Sequence, residues 1–320
     1  MNEYHPSAPN NGGVGIADAA STLAPPLLGA GGASVAAAIA SATDALTEVG
    51  VDTPRLDAQL LLIWVLKCRR EDLARAPERT LTPREQVIYE KAVALRTERR
   101  PLPYITGEAW FYGRPFKINR AVLIPRPETE LLVEAALEKC GDQPAPQIAD
   151  IGTGSGCLAV TLACELPEAK VWATDLSADA LTLARKNVVR YGLETCVTLL
   201  RGDLLEPLPV GMRFDVIVSN PPYVTEAELP TLQPEVRDYE PRLALSGDAG
   251  ESGPEGTAIH RRLLEEAPAY LKPGGWLLLE VGQGQVEQVA RAARDLGYTQ
   301  VMLRNDMSGI GRVVLGSAPG

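Results

Sequence analysis

Residues 214–224 read FDVIVSNPPYV, an almost unbroken apolar run that gives way to Ser219, Asn220, two prolines and Tyr223. Proline has no N–H for a sheet ladder and biases the residue before it away from the helical region. The run therefore predicts a buried strand that stops at Ser219. Asn220, Pro221, Pro222 and Tyr223 then form a stiff exit loop at its C-terminal edge. Open α/β sheets bind ligands at that edge. An Asn-Pro pair alone is better explained as a rigid turn, so the surrounding segments must decide what the loop does.

Outward from this strand, apolar runs predict strands at Ile148–Ile151, Val171–Thr174, Val197–Leu200, Phe214–Val218, Trp276–Val281, Thr299–Leu303 and Gly311–Leu315. Helical patterns separate most of them, at about 156–165, 178–191, 256–271 and 285–296. Strands alternating with helices give a mostly parallel sheet with right-handed crossovers. Only Arg304 to Ile310 joins the last two strands, too short for a crossover, so that pair is expected to be antiparallel. The fold class is α/β, with seven strands and an antiparallel last one.

Before the sheet, residues 1–32 are mostly Gly, Pro, Ala, Ser and Asn and are expected to form a disordered tail. A small helical domain is expected over 33–100. Its first helix runs from Ser34 to Gly50. The second starts at about Thr53, with Pro54 in its first turn and Leu56, Leu60, Ile63 and Leu66 on one face. The third opens at Thr82-Pro83-Arg84-Glu85, which reads as a capping box, and continues through Val87, Ile88, Val93 and Leu95. Residues 101–124 show strand-like alternation broken at Gly107 and Gly113, so a β-hairpin linker is expected there. The sheet domain covers 125–320 and opens with a helix from Glu128 to about Lys139.

The first strand of the sheet runs into Asp150-Ile151-Gly152-Thr153-Gly154-Ser155-Gly156. Strand, glycines, then helix puts backbone N–H groups where a ligand must come close. The third glycine stands at 156 rather than 157, so the dinucleotide pattern GxGxxG is not met and cofactor identity stays open. The second strand ends in Asp175, at about the spacing from Gly154 of an acid that accepts ribose hydroxyls. The third ends in Asp203-Leu204, where the acid can accept from an adenine amine and the leucine can pack on the ring. Each acid alone reads as an exposed strand end. Both on adjacent tips beside a glycine loop read as a nucleoside site.

Composition removes other chemistries. His5 and His260 are the only histidines, which leaves no room for a Ser-His-Asp triad or a His-rich zinc site, and no metal is expected. The five cysteines form no CxxC pair and read as reduced core residues. A net charge of −10 argues against stable nucleic-acid binding, which needs clustered cations. No run of about 18 apolar residues suggests a membrane span. The first cation is Arg55, so neither a signal nor a transit peptide fits. A cytoplasmic monomer is the resulting expectation.

Taken together, the short GxGxG, the acid after strand two and NPPY after strand four resemble class I S-adenosylmethionine-dependent methyltransferases. NPPY resembles the form that methylates a planar nitrogen, an exocyclic base amine or a side-chain amide. Chemically, the Asn220 side-chain oxygen and the Pro221 carbonyl can both accept from one NH₂ group. Tyr223 offers a flat wall for stacking. PLPYITG at 101–107, AVLIPRPETE at 121–130 and LLLEVGQ at 277–283 add a resemblance to protein-(glutamine-N5) methyltransferases that modify peptide chain release factors.

That resemblance implies a Rossmann-like methyltransferase sheet and S-adenosyl-L-methionine as cofactor. It implies cofactor contacts from Gly152, Thr153, Gly154, Ser155, Gly156, Asp175 and Asn220, to which Asp203 and Leu204 are added from their strand tips. The target is the glutamine of a Gly-Gly-Gln motif, held by Asn220, Pro221, Pro222 and Tyr223. The alternatives are an adenine-N6 DNA methyltransferase, which would flip its base out, and a catalytically silent cofactor-binding partner subunit. Glu128 and Glu130 are read either as helix-dipole complements in a first turn or, with Arg126, as part of a loop that closes over cofactor and substrate. Glu280 is expected to pair with a backbone group or an arginine, and His260 to be structural.

Overall fold

The computed structural model describes residues 32–141, 143–247 and 250–318. All but the last residue of the expected tail lies outside the described residues. The chain divides into two compact units, between Ala94 and Leu95.

The first unit holds α1 (Val35–Glu48), α2 (Pro54–Leu66), α3 (Arg70–Arg75) and most of α4 (Pro83–Thr97). Ser34 caps α1 by accepting from the Ala37 N–H. At α4 the capping box is reciprocal: the Thr82 N–H donates to Glu85 at 2.9 Å and the Glu85 N–H to the Thr82 hydroxyl at 3.3 Å. The expected face of α2 is corrected. Ala58, Leu61 and Leu62 are buried, whereas Leu56 and Leu60 are exposed. α2 is apolar nearly all round, so periodicity had no polar face to exclude. α3 has no counterpart in the sequence pattern, because a six-residue polar turn carries no apolar stripe.

The second unit opens with α5 (Leu102–Thr106), then the antiparallel pair β1 (Glu108–Phe111) and β2 (Arg114–Lys117). The expected hairpin over 101–124 is therefore shorter, since Leu102–Thr106 is helical and ends at Gly107 in the left-handed region. Pro101 and Pro103 suit a helical start better than a strand. There follow α6 (Glu130–Cys140), β3 (Gln147–Ile151), α7 (Cys157–Glu165), β4 (Lys170–Asp175), α8 (Ala178–Arg190), β5 (Val197–Arg201) and β6 (Phe214–Ser219). The chain continues through α9 (Pro234–Arg237), α10 (Arg242–Ser246), α11 (Ala258–Glu266), β7 (Leu271–Glu280), α12 (Val286–Asp295), β8 (Thr299–Asn305) and β9 (Gly311–Ser317).

The seven-stranded sheet has the order β5-β4-β3-β6-β7-β9-β8. β9 alone runs opposite to the other six strands, pairing antiparallel with both β7 and β8. β6 is buried along its whole length, as a strand covered on both faces must be. Val216 and Val218 join one core with Leu132, Leu158 and Phe116, and Ile217 points into the other with Leu263 and Val289. Two boundaries differ from the sequence pattern. α11 stops at Glu266 because Pro268 follows, and β7 starts at Leu271 rather than the expected Trp276, so that it takes in Pro273, Gly274 and Gly275. A register shift between Phe214 and Val216 absorbs those residues.

Candidate functional site

After β5 the chain returns to the middle of the sheet and lays β6 beside β3, with Ser219 opposite Ile151. The Ser219 hydroxyl donates to the Ile151 carbonyl at 2.7 Å. This is where strand order reverses, the place where such sheets leave a crevice. Both loops leave from it side by side.

A crevice opens here, with about 1130 Å³ of non-atom space that includes the solvent at its mouth. From the glycine loop it is lined by Gly152, Thr153, Gly154 and Ser155, from the strand tips by Asp175, Asp203 and Leu204, and from the exit loop by Asn220 and Pro222. Gly156, Pro221 and Tyr223 do not line it.

The glycines differ in task. Gly152 and Gly154 have φ of +75° and +55°, and a Cβ on either would meet nothing within 4 Å. Their hydrogens face free space that a side chain would fill. A Cβ on Gly156, with φ +80°, would press on Ala184 at 3.3 Å, so that glycine serves helix packing. Behind the loop the fully buried Asp150 accepts from the Thr153 hydroxyl at 2.6 Å and the Ala159 N–H at 3.1 Å. Burial pushes its pKa up to about 7, against these two donors.

Asp175 is oriented by backbone. Its Oδ2 accepts from the Gly154 N–H and its Oδ1 from the Ser177 N–H, both at 2.8 Å. Each carboxylate oxygen keeps a second acceptor position, so two remain for a ligand diol. Burial raises its pKa and the two N–H donors oppose the rise. Asp203 is held differently, by the Arg262 guanidinium at 2.6 Å, a partner absent from the sequence reading. Leu204 has φ +42°, a strained value for a leucine, and the Thr174 hydroxyl pins its carbonyl at 2.8 Å.

Around Asn220, the side-chain NH₂ donates to the Thr129 hydroxyl at 3.2 Å. This leaves the amide oxygen free of that bond. Burial pushes the Tyr223 phenol up to about 12, and its backbone carbonyl accepts from Gln285 at 3.1 Å. Glu280 is buried and its Oε2 has no hydrogen-bond partner among the described residues, so the expected backbone or arginine pairing is not made there. Burial pushes its pKa up to about 7. His260 is fully buried, with Nε2 2.8 Å from the Glu280 carbonyl, and burial drops its pKa to about 4.

Arg126, expected in a closing loop, does line the crevice, and Glu240, the Pro241–Ala244 segment and Thr129 are contributors the sequence did not mark. Arg126 is gripped by the buried Glu240 carboxylate at 2.6 Å, while Glu240 also accepts from the Ile124 N–H at 3.2 Å. Pro241, Leu243 and Ala244 close another side. Thr129 lies inside the IPRPETE stretch, where its hydroxyl carries no local signal. Glu130 turns away to accept from the Tyr112 N–H at 2.7 Å. Among the described residues no His, Cys, Asp or Glu cluster suits a metal ion, and no helix is long and apolar enough to cross a membrane.

Residues 37–107 match the family described as PrmC N-terminal domain, and residues 127–236 the methyltransferase small domain. The release factor glutamine methyltransferase of Koribacter versatilis is 45% identical over 279 residues, covering 87% of this chain and 96% of that protein. That of Geobacter sulfurreducens is 44% identical over 271 residues, covering 85% of this chain and 92% of its own. Among solved structures, the catalytic domain of hMettl16, in complex with MAT2A 3'UTR hairpin 6, is 18% identical with a TM-score of 0.50. It covers 74% of this chain and 82% of that one, a likeness of fold.

Proposed function

We infer the chemistry of the crevice from one premise: the chain belongs to the release factor glutamine methyltransferase family. It transfers a methyl group from S-adenosylmethionine to the side-chain N5 of a glutamine in peptide chain release factors. The target in this reading is the glutamine of their Gly-Gly-Gln motif.

The observation that carries the reading is that Asn220 lines one crevice with Gly152, Gly154 and Asp175. The residues present fit the cofactor. Gly152 and Gly154 leave open space beside the backbone, Asp175 keeps two acceptor positions for ribose hydroxyls, and Leu204 offers an apolar edge to a purine. Bound there, the sulfonium supplies an electrophilic methyl group. Asp203 is the acceptor for the adenine amine, shared with Arg262.

An amide nitrogen is a poor nucleophile because its lone pair is delocalised into the carbonyl. The Asn220 oxygen and the Pro221 carbonyl accept its two N–H bonds and hold it in line, and positioning of this kind removes much of a barrier. As positive charge develops on the nitrogen, both acceptors are already in place to stabilise it. Tyr223 flanks the amide plane. His260 takes no part, because it is buried against the Glu280 carbonyl.

The helical domain, proposed over residues 33–100 and so reaching past the unit boundary at Ala94, is the recognition module for the release factor, the linker residues 101–124 belonging to the second unit. The protein acts as a cytoplasmic monomer without stable nucleic-acid binding. Methylation of DNA adenine is disfavoured by the net charge of −10 and by the family of its relatives. Purified release factor and DNA, each incubated with methyl-labelled S-adenosylmethionine, test the assignment. Label should enter the Gly-Gly-Gln glutamine alone, and Asn220→Asp should slow single-turnover transfer by about a hundredfold. Label in DNA, or none in release factor, would reject the reading.

A further inference from the structure

Among the described residues that line the crevice, the acids are Asp175, Asp203 and Glu251, and Arg126 is the one cation. Asp175 and Asp203 face the hydroxyls and amine of an adenosine, which need acceptors. A guanidinium offers donors only, so Arg126 must meet a different part of the ligand.

Its pairing with Glu240 uses only part of it. Nη2 donates to Glu240 Oε1 at 2.6 Å, while Oε2 of the same carboxylate accepts from the Ile124 N–H at 3.2 Å. The grip is therefore by one nitrogen, not the two-pronged fork that a carboxylate commonly gives an arginine. Nε and Nη1 of Arg126 make no hydrogen bond among the described residues, and neither is buried. Glu240 is sealed behind, with its side chain 1% exposed against 30% for Arg126. One acid holds the guanidinium in place and leaves its other donors unbonded.

Sheet order says which part of the ligand they meet. Asp203 follows β5, Asp175 ends β4, the glycine loop follows β3 and Asn220 follows β6, and these strands are neighbours in that order. Base, ribose and reacting centre are thus laid out along one line of strand tips. From β4 to β6 is two strand spacings, about 10 Å, within reach of the methionine arm of the cofactor. Arg126 stands at that far end. Its carbonyl accepts from the Thr129 N–H at 3.1 Å in one tight turn, and the Thr129 hydroxyl accepts from Asn220 Nδ2 at 3.2 Å. The arm ends in an ammonium and a carboxylate, and a carboxylate is the anion a planar guanidinium fits. We propose that Arg126 binds the α-carboxylate of the S-adenosylmethionine methionine arm, oriented from behind by Glu240. The proposal rests on the cofactor reading of the crevice and is independent of which nitrogen is methylated.

Other tasks for Arg126 would leave different traces. A clasp that only ties its loop to Glu240 would, once broken, weaken every ligand of the crevice alike. A guanidinium aimed at the protein substrate would change KM for release factor and leave cofactor affinity as it was. A carboxylate contact is felt only by ligands that carry the carboxylate. Glu240 competes for the guanidinium as well as orienting it, so removing the guanidinium, not Glu240, is the decisive change.

Calorimetry with three ligands makes the test without any turnover: S-adenosylhomocysteine, its decarboxylated analogue, and 5′-methylthioadenosine, which lacks the amino-acid arm. The parent should bind S-adenosylhomocysteine at least about tenfold tighter than the decarboxylated analogue, the usual range for a hydrogen-bonded charge. Arg126→Met keeps the length of the stem and removes the guanidinium. It should weaken S-adenosylhomocysteine by about tenfold or more, change 5′-methylthioadenosine by less than about twofold, and so abolish the preference for the carboxylate. Arg126→Lys, which keeps the charge, should restore part of that preference. A parent that does not distinguish the first two ligands overturns the proposal, whether or not the variants fold. So does an Arg126→Met protein in which all three ligands weaken alike, or in which only KM for release factor moves. A parent that binds none of the three rejects the cofactor reading itself, a result distinct from each of these.

Discussion

The Arg126 guanidinium meets the Glu240 carboxylate at 2.6 Å, and the Glu240 side chain is 1% exposed while that of Arg126 is 30% exposed. Glu240 also takes the Ile124 N–H. One buried acid thereby ties the loop that lines the crevice to the segment leading into α10. Glu240→Ala removes both bonds and leaves Arg126 able to reach water. A loss of about 1–3 kcal/mol is expected, the usual cost of stranding buried partners, short of that for a fully buried pair. Urea unfolding measures it, and KM for release factor should rise with cofactor affinity less affected.

Asp175→Ala should weaken S-adenosylmethionine binding by about 1–3 kcal/mol, since it removes the ribose acceptors and unties the Gly154 N–H at 2.8 Å. Isothermal calorimetry checks this, and unchanged affinity would take Asp175 out of the site.

Gly256→Ala tests the placement of Tyr223 from outside the crevice. Gly256 has φ +70°, and a Cβ there would stand 2.2 Å from the Tyr223 carbonyl and 2.3 Å from the Gln285 amide nitrogen. Backbone cannot yield cheaply, so a stability loss of about 1–3 kcal/mol or more is expected. Turnover on release factor should fall more than cofactor affinity, which kinetics and calorimetry on the same preparation will separate.

The buried carboxyl of Glu280 predicts a signature in stability. Its pKa is raised from 4.5 to about 7 on folding, so the folded state holds the proton more tightly. Its stabilising contribution is complete below about pH 4.5 and is lost as pH rises through about 7. The difference in unfolding free energy between the parent and Glu280→Gln should therefore decline across that window, by at most about 1.4 kcal/mol per pH unit. His260, lowered to about 4, acts in the opposite sense and cancels in the comparison. A difference curve that is flat or rising would show that Glu280 is ionised throughout.

By itself the sequence determined whatever depends on short range. Alternating strands and helices dictated the mostly parallel sheet, the short link before β9 its antiparallel pairing, and the Thr82–Glu85 box the start of α4. Gly152 and Gly154 marked the candidate cofactor loop because positive φ is a local demand, and NPPY marked a rigid exit because proline acts on its immediate neighbours. Tertiary structure alone decided the rest. It chose which face of the apolar α2 is buried, and it made a helix of Leu102–Thr106 within an apparent hairpin. It also brought Thr129 to Asn220 across 91 residues and Arg126 to Glu240 across 114. Such partners are selected when strand order lays β6 against β3, and no local propensity records which distant hydroxyl or carboxylate that pairing will deliver.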